Sequence, residues 1–91
     1  MSRVIHRYEL DSSKINEVQE IQLPLNAIVL DAQFQGNKLY LWAIIDPKKK
    51  MKTRSVYIAF TGAEFEMHYS KNEHISTVQK DGFIFHIFME W

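Results

Sequence analysis

The sequence predicts an all-β, mainly antiparallel fold of six to seven short strands, arranged as a small sandwich or barrel with room for one short helical turn. Apolar residues recur with a period of two in most windows, which is the spacing of a half-buried strand. The dipeptides Gly36-Asn37 and Asp81-Gly82 stand between such runs, where tight hairpin turns are expected. Two runs are also apolar on both faces, which is typical of strands inside a layered fold.

The first two strands are read from the segments VIHRYEL and NEVQEIQLP. In the first, Val4, His6, Tyr8 and Leu10 alternate with Arg3, Ile5, Arg7 and Glu9, and the cluster DSS at 11–13 ends the strand. In the second, apolar residues are irregularly spaced, which indicates an edge strand. Pro24 closes this strand because proline has no backbone N–H to donate to a sheet.

The clearest element is a hairpin over residues 28–45, with a turn at Gly36 and Asn37 that is expected to use positive φ angles. Its outgoing strand has Leu39, Leu41, Ala43 and Ile45 on one face and Tyr40, Trp42 and Ile44 on the other. Because both faces are apolar, this strand is predicted to lie inside a sheet and to be covered on both sides.

The second half of the chain continues the strand pattern. RSVYIAF is a strand that stops at Gly62, and Ala63 to Asn72 is predicted to form a short strand or a helical turn. HISTVQKDGFIFHIFMEW is a second hairpin around Asp81 and Gly82. Its last strand again has two apolar faces.

Length and composition indicate one soluble domain, residues 1–91, with 46% apolar residues for a core. Eleven basic and eleven acidic residues cancel, so the whole molecule has no net attraction to nucleic acid or to anionic membranes. Cysteine is absent, no signal peptide is expected at the N-terminus, and no apolar run reaches the ~20 residues of a membrane-spanning helix. A cytoplasmic location is therefore expected.

Strands that are apolar on both faces in so short a chain need two covering layers. The pattern favours a homo-oligomer in which part of the second face is buried between copies. A single subunit deep enough to bury all of these faces is the alternative.

Several motifs together resemble a family of small uncharacterised proteins common in phage genomes. They are IHRYEL at the start, LP, LWAIIDP, Arg54, TG at Thr61 and Gly62, ISTVQ, and a final FIFHIF. The chain departs from the family pattern at FTGAEF, which lacks the first glycine of a GTG turn, and at ISTVQ, where serine replaces glycine. The resemblance implies a phage or prophage origin, with the host cytoplasm as location, and carries no activity; a role against host machinery or defence is an analogy.

No arrangement of side chains predicts catalysis, a metal ion or a cofactor. The four histidines lack the spacing of a zinc site, and His6 and His86 lie at apolar strand positions. A pair of catalytic histidines across the first and last strands would need Ser or Thr two residues on, where Tyr8 and Phe88 stand. Serines have no neighbouring base, and the glycines build no phosphate loop. We therefore expect a protein that is not an enzyme.

The lysine cluster after Asp46 and Pro47 is either a solvated loop or a surface that binds phosphate. Residues that could hold a nucleotide-like ligand accompany it: an aromatic plate, a bidentate phosphate donor and neutral hydrogen-bonding groups. The predicted ligand-binding residues are Trp42, Arg54, Lys48, Lys50, Lys52, Tyr8, Thr61, Gln79 and His86. The ordinary alternative is that Trp42 belongs to the core and Arg54 to a surface ion pair.

Two functions follow from these residues. The first is the sequestration of a small phosphorylated or nucleotide-like ligand by an oligomeric, non-enzymatic protein, with counter-defence as its setting. The second is an interaction protein whose basic loop meets an acidic patch on a host protein, such as a defence nuclease.

Overall fold

A computed structural model describes residues 2–65 and 72–90, which form seven strands in two antiparallel sheets. The strands are β1 Val4–Leu10, β2 Val18–Pro24, β3 Ile28–Gln35, β4 Lys38–Ile45, β5 Met51–Phe60, β6 Asn72–Lys80 and β7 Phe83–Glu90. The first sheet has the order β1-β4-β3, and the second has the order β2-β5-β7-β6. The all-β prediction is confirmed, and the two sheets correspond to its sandwich alternative. The described residues form no helix long and apolar enough to cross a membrane.

Both predicted hairpins are present. Gln35 pairs with Lys38 and Lys80 pairs with Phe83, so each turn contains two residues. Asp81 and Gly82 both have positive φ angles, 52° and 83°. In the first turn only Gly36 does, at 62°, which corrects the expectation that Asn37 also has a positive φ. A turn with positive φ at its first central residue alone is typical of type II′.

The predicted positions of the two doubly apolar strands are confirmed, since β4 lies between β1 and β3, and β7 lies between β5 and β6. The predicted edge position of β2 is also confirmed. β1 is an edge strand whose inner face is buried at one end only. Leu10 is 1% exposed, whereas Val4 is 41% exposed.

The core lies between the two sheets and is built from the inward residues of each strand. Leu41 and Ala43 of β4 belong to the same buried cluster as Val56 and Ile58 of β5. β3 packs beside β6 at one side of the sandwich, where the Gln33 amide donates to Ser76 Oγ over 3.3 Å. The residues that alternate with these inward ones lie on the side of each sheet away from the core. Each sheet therefore has its own outer face.

The connection from β5 to β6 begins over the outer face of the second sheet. β5 and β6 both run antiparallel to β7, so they are parallel to each other. Phe65 lies in this connection and contacts Phe88 and Tyr57, with ring centroids 4.8 and 5.5 Å apart. Most of the segment predicted as a short strand or helical turn, residues 66–71, lies outside the described residues.

Candidate functional site

Positive charge collects at one corner of the sandwich, where the β2–β3 turn, the β4–β5 loop and the residues before β1 meet. We call Arg3, Lys48, Lys49, Lys50 and Lys52 the basic corner, and each is exposed. Asp46 at the end of β4 lies in the same region. Five cations beside one carboxylate make this corner positive although the chain as a whole is neutral.

The local sequence builds the corner through backbone hydrogen bonds. Asp46 caps the lysine loop: its Oδ1 accepts the Lys48 amide at 3.0 Å and its carbonyl accepts the Lys49 amide at 3.1 Å. The Leu25 amide then donates to the Lys50 carbonyl over 2.8 Å and ties the loop to the β2–β3 turn. That turn includes Asn26 with a φ of 64°, a conformation that asparagine tolerates better than most residues. The lysine side chains thus extend from an anchored backbone.

A small cleft of about 120 Å³ opens in this corner and is lined by Arg3, Leu25, Asn26, Asp46 and Lys49. Pockets that hold whole drug-sized ligands usually exceed about 300 Å³, so this cleft is sized for a group such as a phosphate. Arg3 and Lys49 can neutralise such a group, and the Asn26 amide can donate to it. The arrangement is suited to binding an anion.

A larger cleft, of about 340 Å³, lies near the opposite end of β1 and has the wrong charge for phosphate. Its lining is Glu9, Leu10, Asp11, Ser12, Asn37 and Lys38. Lys38 lies 3.7 Å from Glu9. The Ser13 hydroxyl and amide both donate to Asp11, and these bonds hold the pKa of that carboxyl below its usual value. Its lining has the two carboxylates of Glu9 and Asp11 and the single cation Lys38, so its charge disfavours an anion.

The structure distributes the predicted ligand-binding residues over four places. Lys48, Lys50 and Lys52 belong to the basic corner. Trp42 is half-buried on the outer face of the first sheet, with its ring centroid 6.1 Å from that of Tyr40. Asp46 comes four positions after Trp42, which is about 13 Å along a strand. Ile44 lies between them on the same face, so Trp42 does not line the cleft.

Tyr8 and Arg54 lie toward the space between the sheets. Tyr8 packs against the core, and its burial raises the pKa of the phenol. Arg54 is 7% exposed; burial lowers the pKa of its guanidinium, and the carboxylate of Glu73 acts in the opposite direction. Neither side chain is presented at the open surface of the basic corner.

Thr61, Gln79 and His86 lie on the outer face of the second sheet, on the other side of the core from Trp42. Thr61 and His86 belong to a chain of four hydrogen-bonded side chains, which we call the histidine–threonine chain: Thr61, His86, Thr77 and His74. His86 Nε2 lies 2.8 Å from Thr61 Oγ1, and His86 Nδ1 lies 3.1 Å from Thr77 Oγ1. His74 Nε2 lies 2.9 Å from Thr77 Oγ1.

The direction of this chain follows from the single hydrogen of each hydroxyl. The Thr61 hydroxyl donates to the Ile84 carbonyl over 3.1 Å, so its oxygen accepts from His86 Nε2–H. Neutral His86 then has a bare Nδ1, which accepts from the Thr77 hydroxyl. The Thr77 oxygen in turn accepts from His74 Nε2–H. Every donor in the chain has an acceptor, so these residues stabilise one another without a ligand.

Four residues near these sites were not predicted from the sequence: Arg3 and Asn26 at the cleft, and Thr77 and His74 in the histidine–threonine chain. The two-residue turn at Asp81 and Gly82 already places Thr77 opposite His86, so counting back from the turn would have found it. Arg3 and Asn26 carry no such signal, because they join the lysines only through long-range packing.

No group of three or more metal-ligating side chains occurs within residues 2–65 and 72–90. In a comparison with known families, residues 1–91 match a family described as "Domain of unknown function (DUF7352)". No curated protein and no solved structure matches the chain.

Proposed function

Since the chain belongs to the DUF7352 family, whose description assigns no activity, we propose from the geometry that it is a non-enzymatic protein that binds a small phosphorylated or nucleotide-like ligand at the basic corner. The observation that carries this proposal is the cleft that Arg3, Lys49 and Asn26 line together with Leu25 and Asp46. Lys48, Lys50 and Lys52 around it add to the local positive potential.

The corner supplies binding groups rather than catalytic ones. Arginine, lysine and asparagine side chains stabilise an anion, and Asp46 accepts the Lys48 amide through the same carboxylate that would have to act as a base. A ligand held here would have its phosphate in the cleft and the rest of the molecule outside, since about 120 Å³ does not enclose a nucleotide.

The motifs that resemble small phage proteins lead us to place this binding in counter-defence. In that setting the protein removes a phosphorylated signal of the host from solution and needs no turnover. Affinity and copy number would then decide its effect, and a neutral overall charge would limit nonspecific attachment to nucleic acid.

Isothermal titration with inorganic phosphate and a panel of linear and cyclic nucleotides tests the proposal. The variant Arg3→Gln/Lys49→Gln removes both cations of the cleft, and we expect its affinity for the best ligand to fall by about tenfold or more, because each phosphate contact is charge-assisted. Lys14→Gln/Lys80→Gln removes the same charge from residues that do not line the cleft and should leave the affinity unchanged. Equal losses in the two variants, or no binding of any ligand to the wild type, would refute the proposal.

The second candidate is an inhibitor that meets an acidic patch on a host protein with the same corner. It is favoured by Leu25 and Met51, which are 40% and 56% exposed beside the lysines, because apolar groups among cations suit a protein surface better than a phosphate. Met51→Ser separates the two candidates, because Met51 is exposed and does not line the cleft. It should weaken a protein partner and spare a bound nucleotide.

A further inference from the structure

The outer face of the three-stranded sheet carries more apolar surface than a solvated sheet face needs. Ile5, Ile28 and Leu30 are 60%, 47% and 46% exposed, and Trp42 and Ile44 between them are half-buried. We call these five residues the apolar outer face. A contiguous exposed apolar patch on a small protein usually marks an interaction site.

The register of the sheet arranges this face in level rows. Ile5 pairs with Ile44, and Ile44 pairs with Ile28, so one row is apolar across all three strands. In the next row Trp42 has Arg7 on one side and Asp31 on the other. The bulge between Val29 and Asp31 adds Leu30 to the β3 side.

We propose that a second copy of this chain covers the apolar outer face, packed face to face with the first. The two copies are related by a two-fold axis that runs parallel to β4 and lies between the two stacked sheets. Rotation about this axis exchanges the positions of β1 and β3 and keeps every row at its own level. Ile5 of one copy then lies over Ile28 of the other, and Ile44 lies over its own equivalent. The same operation places Arg7 over Asp31 of the second copy, twice in the dimer.

The distribution of charge on the apolar outer face favours a second copy of this chain over other binding partners. The rows of this face carry Arg7, Glu9, Asp31 and Lys38, two cations and two anions, so the face has no net charge. An isologous interface requires a self-complementary surface, and Arg7 on β1 and Asp31 on β3, the charges beside the apolar row, lie on the two strands that the axis exchanges. Glu9 then lies opposite Gln33, and Lys38 on β4 lies over its own equivalent at the end of the face away from the apolar row. A nucleic acid or a strongly charged protein would instead require an excess of one sign.

Arg7 is already held above the sheet. Its guanidinium carbon lies 4.1 Å from the centroid of the Tyr40 ring, and its NH1 donates to Gln35 Oε1 over 2.9 Å. In the dimer it would exchange the bond to Gln35 for Asp31 of the second copy. Because the bond to Gln35 is at an exposed surface, little is lost in that exchange.

The small area of the apolar outer face limits the expected affinity of the dimer. Three strands spaced by about 4.8 Å and about seven residues long cover on the order of 300 Å² in projection. This area is smaller than that of stable specific interfaces, so the dimer should be weak and should form only at high protein concentration. The inference does not depend on a ligand at the basic corner.

Sedimentation over protein concentrations from about 10 µM to about 1 mM tests the proposal, because a weak dimer dissociates by mass action. Ile44→Glu places two carboxylates on the axis and should leave the protein monomeric. Ile84→Glu is the matched control, since Ile84 is 43% exposed on the outer face of the other sheet. A monomeric wild type at the highest concentration, or a dimer that Ile84→Glu breaks and Ile44→Glu does not, would overturn the proposal.

A charge exchange tests the direction of the axis. Arg7→Asp and Asp31→Arg each place like charges opposite one another across the interface, so each alone should weaken the dimer about tenfold. The double variant restores opposite charges and should recover most of the affinity. If the double variant is as weak as the singles while circular dichroism shows it folded, the two-fold axis along β4 is wrong.

Discussion

At the scale of the residue, one hydroxyl group determines the directions of all the hydrogen bonds in the histidine–threonine chain. Thr61 bonds the Ile84 carbonyl, and this one donation determines which nitrogen of His86 carries the hydrogen and, through Thr77, which nitrogen of His74 does. These side chains lie on a sheet face where His86 was predicted to orient a ligand. Their mutual bonds account for their positions without one.

We predict that neutral His86 is the Nε2–H tautomer. Nitrogen-15 chemical shifts of the ring, recorded at a pH where the imidazole is neutral, distinguish the two tautomers directly. Thr77→Val removes the hydroxyl that donates to Nδ1, so the fraction of Nε2–H should fall in that variant. His6 is exposed on β1 and lies outside the histidine–threonine chain, so its ring nitrogens give the reference shifts. A predominant Nδ1–H form of His86 in the wild type would contradict the hydrogen-bond directions given above.

At the scale of the element, the sequence predicts what depends on neighbours in the chain. Asp81 and Gly82 identify the β6–β7 hairpin because both positions need positive φ, and the alternation after Gly36 identifies β4. The division of the strands into two sheets is not local. β2 pairs with β5 about thirty residues later, and β4 and β7 have the same apolar pattern yet belong to different sheets.

This division explains why the predicted ligand site is not one site within a protomer. Trp42 on β4 and His86 on β7 each lie on the outer face of their own sheet, so the core separates them. Arg54 has the same parity as Val56 and Ile58 and therefore faces inward. The surface location of the lysines after Asp46 could be predicted from the sequence alone, because an exposed loop needs no pairing partner.

The two faces of β7 should respond very differently to truncation. Ile87 is completely buried between the sheets, whereas Ile84 is 43% exposed. Ile87→Ala should lower the free energy of unfolding by about 2–5 kcal/mol, since it leaves a cavity in the core. Ile84→Ala should cost less than about 1 kcal/mol, because it removes little buried surface. Urea unfolding measures both, and comparable losses would mean that β7 does not present these faces as described.

At the scale of the whole molecule, charge rather than shape singles out one end. The 91 residues have no net charge, yet five cations meet at the basic corner and two carboxylates line the larger cleft elsewhere. A two-fold axis along β4 would bring the basic corners of two copies to the same end of the dimer. Their mutual repulsion would oppose dimer formation at low salt, and a phosphorylated ligand would relieve it.

The most direct test of binding at the basic corner is a nuclear magnetic resonance titration of the nitrogen-15-labelled protein with a nucleoside triphosphate. The largest amide shifts should occur at Arg3, Leu25, Asn26 and the loop 48–50, and they should saturate and diminish with added salt, since the attraction is electrostatic. Thr77 and His86, on the outer face of the second sheet, should remain unchanged. Saturable shifts centred on those two residues or on Trp42, with the basic corner unaffected, would contradict the account.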